Sequence, residues 1–339
     1  MGEGMLYQET LYKTERHKEP LHGGGEHEKG HMPHVGASCV GKLPTETLYR
    51  KRGRAGEYFL LAAIYGAAYF TAFLLLGIIG YVFFRGFRIL GIRFLTTVTS
   101  VRQGTVGIAG SLVNTLYIVL MTLLIAVPIG TGAAIYLNEY EKPGRVVRFI
   151  EFSTETLAGI PSVIFGLFGM TFFGGVLGMG YSLLSGSLTL VLMVLPLIVR
   201  NTQRALRTVP EGYRYGALGL GAGKWHLIRT ILLPSASPGI LTGIILAVGR
   251  IVGESAALLF TAGSARLLPR LGGGFGKSLT ALYGKIFEPG GTLAVELYLQ
   301  MQNGEYEAAF GIGCVLMMLA LFLNLLIRLV CGERDTPMP

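Results

Sequence analysis

Arg250 and Glu254 are the residues of this chain best placed to do chemistry on a solute. They lie four apart in a stretch, 230–262, that carries no other charge. On a helix, residues i and i+4 share a face and can pair. A charge at the centre of a membrane helix costs about 2.5–3.5 kcal/mol on insertion scales, so its presence there needs a reason. Two readings stand side by side. The pair neutralises itself and locks helix packing, or Arg250 offers a fork of donors to a tetrahedral oxyanion while Glu254 orients it or adjusts the local charge. Arg200 ends another uncharged run, 156–199, and is the second candidate for such a path. Its plainer reading is a basic anchor whose stem snorkels toward the membrane surface.

A polar, basic loop, 208–230, lies between these two runs. On a helix, its Tyr215, Leu218, Ala222 and Trp225 would form one apolar face flanked by basic residues. Such a face fits a groove on another protein, or it rests on lipid headgroups. Two strings imitate a nucleotide-binding loop and fail. Gly272 to Ser278 has Leu271 where the first glycine belongs, and Gly219 to Trp225 has Leu218 there and Trp225 in place of the magnesium-binding hydroxyl. The three cysteines, Cys39, Cys314 and Cys331, have no metal or redox spacing. No catalytic residue, metal or cofactor is therefore expected, and no nucleic-acid partner.

The elements that must hold these residues follow from composition. Of 339 residues, 51% are hydrophobic and only 14% charged, whereas soluble domains carry about 25% charged residues. Five runs lack Asp, Glu, Lys and Arg: 59–84, 107–137, 156–199, 230–249 and 308–327. A helix needs roughly 20 apolar residues to cross the hydrocarbon, and the run 156–199 is long enough for two crossings. The reading is all-α, a polytopic membrane protein of six spans near 59–84, 107–137, 156–176, 181–199, 236–262 and 308–329. Pro161 is expected to kink or break the third span in mid-membrane. Small residues four apart, from Ser235 through Gly239 and Gly243 to Ala247, and then Gly249, Gly253 and Ala257, mark the fifth as a packed helix.

Lys42, Arg50, Lys51, Arg52 and Arg54 precede the first span and place the N-terminus in the cytoplasm. Six spans return the C-terminus to the same side. Residues 1–58 are read as a polar, disordered cytoplasmic tail whose five histidines share no ligand spacing. Residues 59–106 form the first span and an external loop, 107–330 the core, and 331–339 a short tail.

From about residue 107 to 330 the chain resembles the permease subunit of the bacterial phosphate ABC importer, the PstA type. That family's cytoplasmic docking loop has the pattern Glu-Ala-Ala-x3-Gly-x9-Ile-x-Leu-Pro. Here it reads Tyr215-Gly216-Ala217-x3-Gly221-x9-Ile231-x-Leu233-Pro234, with Tyr215 in the place of Glu and Gly216 in the place of Ala. The segments Arg250 to Ala262, Ile160 to Leu167 and Leu323 to Arg328 also resemble the phosphate permeases. The resemblance implies the type I ABC importer permease fold in a plasma membrane. It implies a complex with a homologous PstC-type permease, two copies of an ATPase that binds the ATP, and an extracytoplasmic phosphate-binding protein. The alternatives are a permease for sulfate or molybdate, a stand-alone channel or secondary transporter, and a membrane scaffold that transports nothing.

Overall fold

A computed structural model describes residues 54–100, 105–140, 144–268 and 275–332; most of the N-terminal tail and its histidines lie outside these. The described residues are almost entirely helical. Helix α1 (Arg54–Phe87) is followed by a short α2 (Ile92–Thr96) and a two-stranded antiparallel ribbon, β1 (Val98–Ser100) with β2 (Thr105–Ile108). In the ribbon Val98 faces Ile108 and Ser100 faces Thr105. The span pattern did not foresee this ribbon. Helix α3 (Ala109–Ile135) ends in a π-helical turn, Tyr136–Tyr140.

Helices α4 (Arg145–Gly159) and α5 (Ser162–Gly169, prolonged by a π segment Met170–Val176) form a pair bent by 102°. The bend lies at Ile160 and Pro161, both extended, because the residue before a proline is pushed out of the α region. The break expected at Pro161 is therefore present, as a sharp bend between two helices. Helix α6 (Leu183–Arg207) follows, opened by the Ser182 hydroxyl, which accepts from the Ser185 N–H at 3.1 Å. After it come α7 (Glu211–Gly219), α8 (Lys224–Leu227) with a π turn to Leu232, and α9 (Leu233–Gly253). Helices α10 (Ala256–Thr261), α11 (Phe275–Lys285), α12 (Leu293–Gln302) and α13 (Tyr306–Gly332) complete the chain. Among the described residues five helical runs are long and apolar enough to cross a membrane, or six where the bent pair is counted as one span.

Ile118, Val119 and Ala126 of α3, Leu190, Val194 and Ile198 of α6, and Ala247, Val248 and Ile251 of α9 share one core cluster. Helices α6 and α9 meet through small residues: a Cβ on Gly239 would sit 2.5 Å from the Ala205 Cβ, and one on Gly243 2.7 Å from the Asn201 Cβ. The expected small-residue stripe therefore divides. Gly239, Gly243 and Ala247 face α6, while Gly249 and Gly253 have open space around them and are exposed. Most large apolar side chains of α1 are exposed, as suits a helix bathed in lipid. Its last turns pack, where Gly86 lies against the Phe310 backbone of α13.

Candidate translocation face and docking segment

Arg250 lies in the last turn of α9. The antiparallel match of Gly239 with Ala205 and Gly243 with Asn201 sets the level of every residue on α9. Continued, it puts Arg250 beside Val194, near the middle of α6. The side chain is exposed on an open stripe with Thr242, Leu246, Gly249 and Gly253. It forms no ion pair with any described residue.

Glu254 does not extend that helix. Its backbone is extended (φ −80°, ψ 124°), and its Oε1 accepts the Ala257 N–H of α10 at 3.2 Å. The expected fifth span is thus broken at Glu254, and the two residues do not share a helical face. A helix start leaves unpaired N–H groups, and a carboxylate there is favoured by both hydrogen bonding and the helix dipole. One carboxylate oxygen thus helps to open α10, which rests on α5 through Ala257 against Gly166. The i, i+4 pair inferred from spacing is therefore absent.

Arg200 turns elsewhere. Its guanidinium lies 3.6 Å from Glu155 of α4, and Arg207 makes a similar pair with Glu151 at 3.4 Å. With Thr154, Gln203 and Arg204 these residues line a cleft between α4 and α6. The structure does not bring Arg200 and Arg250 together.

The docking segment is a helix, a turn and a helix. Helix α7 stops at Gly219, and the reversal uses Gly221 at φ +82°, a left-handed conformation that side chains other than glycine resist. The four-residue apolar face inferred for one continuous helix is thus split. Tyr215 (68% exposed) and Leu218 project from α7, Trp225 (64%) projects from α8, and Ala222 turns inward. Leu220, at 91% exposed, joins the outward set and no periodicity pointed to it. Ala217 is buried beneath, against Leu206, Leu227 and Ile228, with Ile231 and Leu233 packed on the same cluster. Of the pattern residues, Tyr215, Gly216, Gly221 and Pro234 face outward, and Ala217, Ile231 and Leu233 hold the segment in place.

Three polar contacts escaped the sequence reading. Arg214 of α7 lies 3.0 Å from Glu139 at the end of α3. Lys224 of α8 sits 5.6 Å from the ring centroid of Tyr140. At the other end of the bundle, Arg266 donates to Glu296 at 2.6 Å and Gln300 donates to the second oxygen at 2.8 Å. Except for Gln300 and Glu296, four apart on α12, the partners are distant in sequence, so no local spacing announces them.

Comparisons with known proteins agree with this layout. A family model for the binding-protein-dependent transport system inner membrane component matches residues 126–330. The probable ABC transporter permease protein YqgI of Bacillus subtilis (strain 168) is 39% identical over 244 residues, covering 70% of this chain and 81% of that protein. The phosphate transport system permease protein PstA of Xylella fastidiosa (strain Temecula1) is 41% identical over 156 residues, 46% of this chain and 54% of that protein. A crystal structure of a bacterial alginate ABC transporter, in complex with its alginate pentasaccharide-bound periplasmic protein, contains a chain of the same fold. It covers 84% of this chain and 97% of that chain, with a TM-score of 0.58 at 18% identity.

Proposed function

The chain belongs to the binding-protein-dependent transport system inner membrane components, which are multi-pass membrane proteins, and from that premise we propose that it is the permease subunit of an ATP-driven phosphate importer. It is a transport subunit and not an enzyme; ATP is bound and hydrolysed by a partner. The observation that carries the substrate reading is Arg250, a guanidinium on an open helix face at mid-bundle height with no ion-pair partner among the described residues. A planar fork of donors recognises a tetrahedral oxyanion in a way that a buried, neutralised arginine cannot. A relative at 41% identity is named a phosphate transport permease.

A homologous permease of the PstC type packs on the open stripe of α9 and closes the path around Arg250. The exposed Tyr215, Leu218, Leu220 and Trp225 dock on one of two ATPase copies. An external phosphate-binding protein delivers the anion. Both termini lie in the cytoplasm, on the side of the docking segment. The ATPases change the relative stability of an outward-facing and an inward-facing state, and the chain contributes only differential contacts to the two.

Uptake of radiolabelled phosphate in cells lacking this chain, with and without its restoration, tests the reading, with sulfate and molybdate in parallel. Phosphate uptake lost and regained alone is the expected result. Loss of another oxyanion instead would overturn the substrate. No change in any, with other phosphate carriers deleted, would overturn the importer and favour a channel or scaffold.

A further inference from the structure

The contact between Arg214 and Glu139 belongs neither to the outward docking surface nor to the Arg250 face. Glu139 ends α3 inside the π turn Tyr136–Tyr140, and Arg214 projects from α7 of the docking segment. Their side chains are 10% and 22% exposed, so both are largely enclosed by the chain's own atoms. The joint is reinforced on each side. Asn138 donates to the same Glu139 oxygen at 2.6 Å, and Arg214 also donates to the Leu206 carbonyl, at 3.0 Å, near the end of α6. Lys224 stacks over Tyr140, which itself stacks on Tyr136, so α8 grips the same turn of α3.

The far end of α3 is tied just as firmly. The Asn114 amide donates to the carbonyls of Ala265 and Gly291 at 3.2 and 3.1 Å, and the Thr115 hydroxyl accepts the Leu293 N–H at 2.9 Å. Ala265 and Gly291 belong to the segments between α10 and α12, and Leu293 opens α12, at the opposite end of the bundle. Helix α3, 27 residues and so about 40 Å long, therefore links the docking segment to the opposite mouth by hydrogen bonds at both ends.

We propose that Glu139 and Arg214 are a positioning pair for transport: they convert displacement of the docking segment by the ATPase into movement of α3, and so of the segment that Asn114 and Thr115 hold. Neither residue touches the anion. The proposal rests on the function proposed above. A charge-assisted hydrogen bond in a partly enclosed site is a stiff link, and losing one partner leaves the other charge poorly compensated. A coupling of this kind is worth about 5- to 150-fold in a linked equilibrium.

The test uses the full complex in proteoliposomes: this chain, its partner permease, the ATPases and the binding protein. Phosphate moved and ATP hydrolysed are measured together. Glu139→Gln, which keeps the shape and removes the charge, is expected to lower phosphate moved per ATP about tenfold, with the amount of bound ATPase unchanged. Arg214→Lys, which keeps charge and a donor, retains at least half of the wild-type ratio. Glu139→Gln with Arg214→Gln is no worse than either alone, because the two act through one contact. An unchanged ratio in Glu139→Gln overturns the proposal. So does loss of bound ATPase in step with uptake, or effects that multiply in the double variant. The wild-type complex reads the substrate separately. If it carries sulfate or molybdate, only the substrate reading falls and the ratio is taken on that anion; if it binds no ATPase, function and joint fall together.

Discussion

Arg250 and Arg266 lie in one stretch of chain with opposite surroundings. Arg266 is mostly enclosed and donates at 2.6 Å to Glu296, whose side chain is 2% exposed and whose other oxygen is held by Gln300. Arg250 stands on an open stripe of α9, and the nearest acidic residue in sequence, Glu254, has turned away to open α10. The first guanidinium is satisfied inside the fold and fastens two segments. The second has no ion-pair partner among the described residues. A charge at mid-bundle costs stability unless it is compensated, and the function proposed above supplies that compensation as the anion or the partner permease.

That contrast can be broken by substitution. The largest effect is expected from Arg250→Ala: phosphate uptake falls about a hundredfold or more, as loss of charge-assisted bonds to an anion implies, while the complex assembles in normal yield. Normal uptake would take Arg250 out of the pathway. Next comes Glu296→Ala, which strands Arg266 in an enclosed site and is expected to cost about 3–5 kcal/mol, read as lower thermal stability in detergent before any assay of transport. A stable Glu296→Ala protein that fails only in uptake would erase the distinction between the two arginines. The smallest effect belongs to Glu155→Gln. Its pair with Arg200 is long and the carboxylate is 74% exposed, so stability should change by less than about 1 kcal/mol. If uptake falls severalfold while stability holds, Arg200 joins Arg250 as a residue of the path.

The crossings were legible because uncharged runs of this length leave few alternatives, and the small-residue stripe on α9 was legible because helix contact at Gly239 and Gly243 depends on local size. Two readings failed for one physical reason. The break at Glu254 and the reversal at Gly221 are each decided partly by what the next helix packs on, Gly166 for α10 and the cluster around Ala217 for α8. A helical period drawn through either point continues a face that the backbone has abandoned. The joint between Glu139 and Arg214 was beyond reach for a further reason. Asn138 and Glu139 look like an ordinary polar end to a span until α7 is brought to them from far along the chain.

The bend at Pro161 leaves α5 and its π segment, Ser162 to Val176, as a run of about 22 Å in one direction, against a hydrocarbon thickness of about 30 Å. A run that short does not reach across by itself, so α4 on the other side of the bend, or a neighbouring subunit, has to complete the layer beside it.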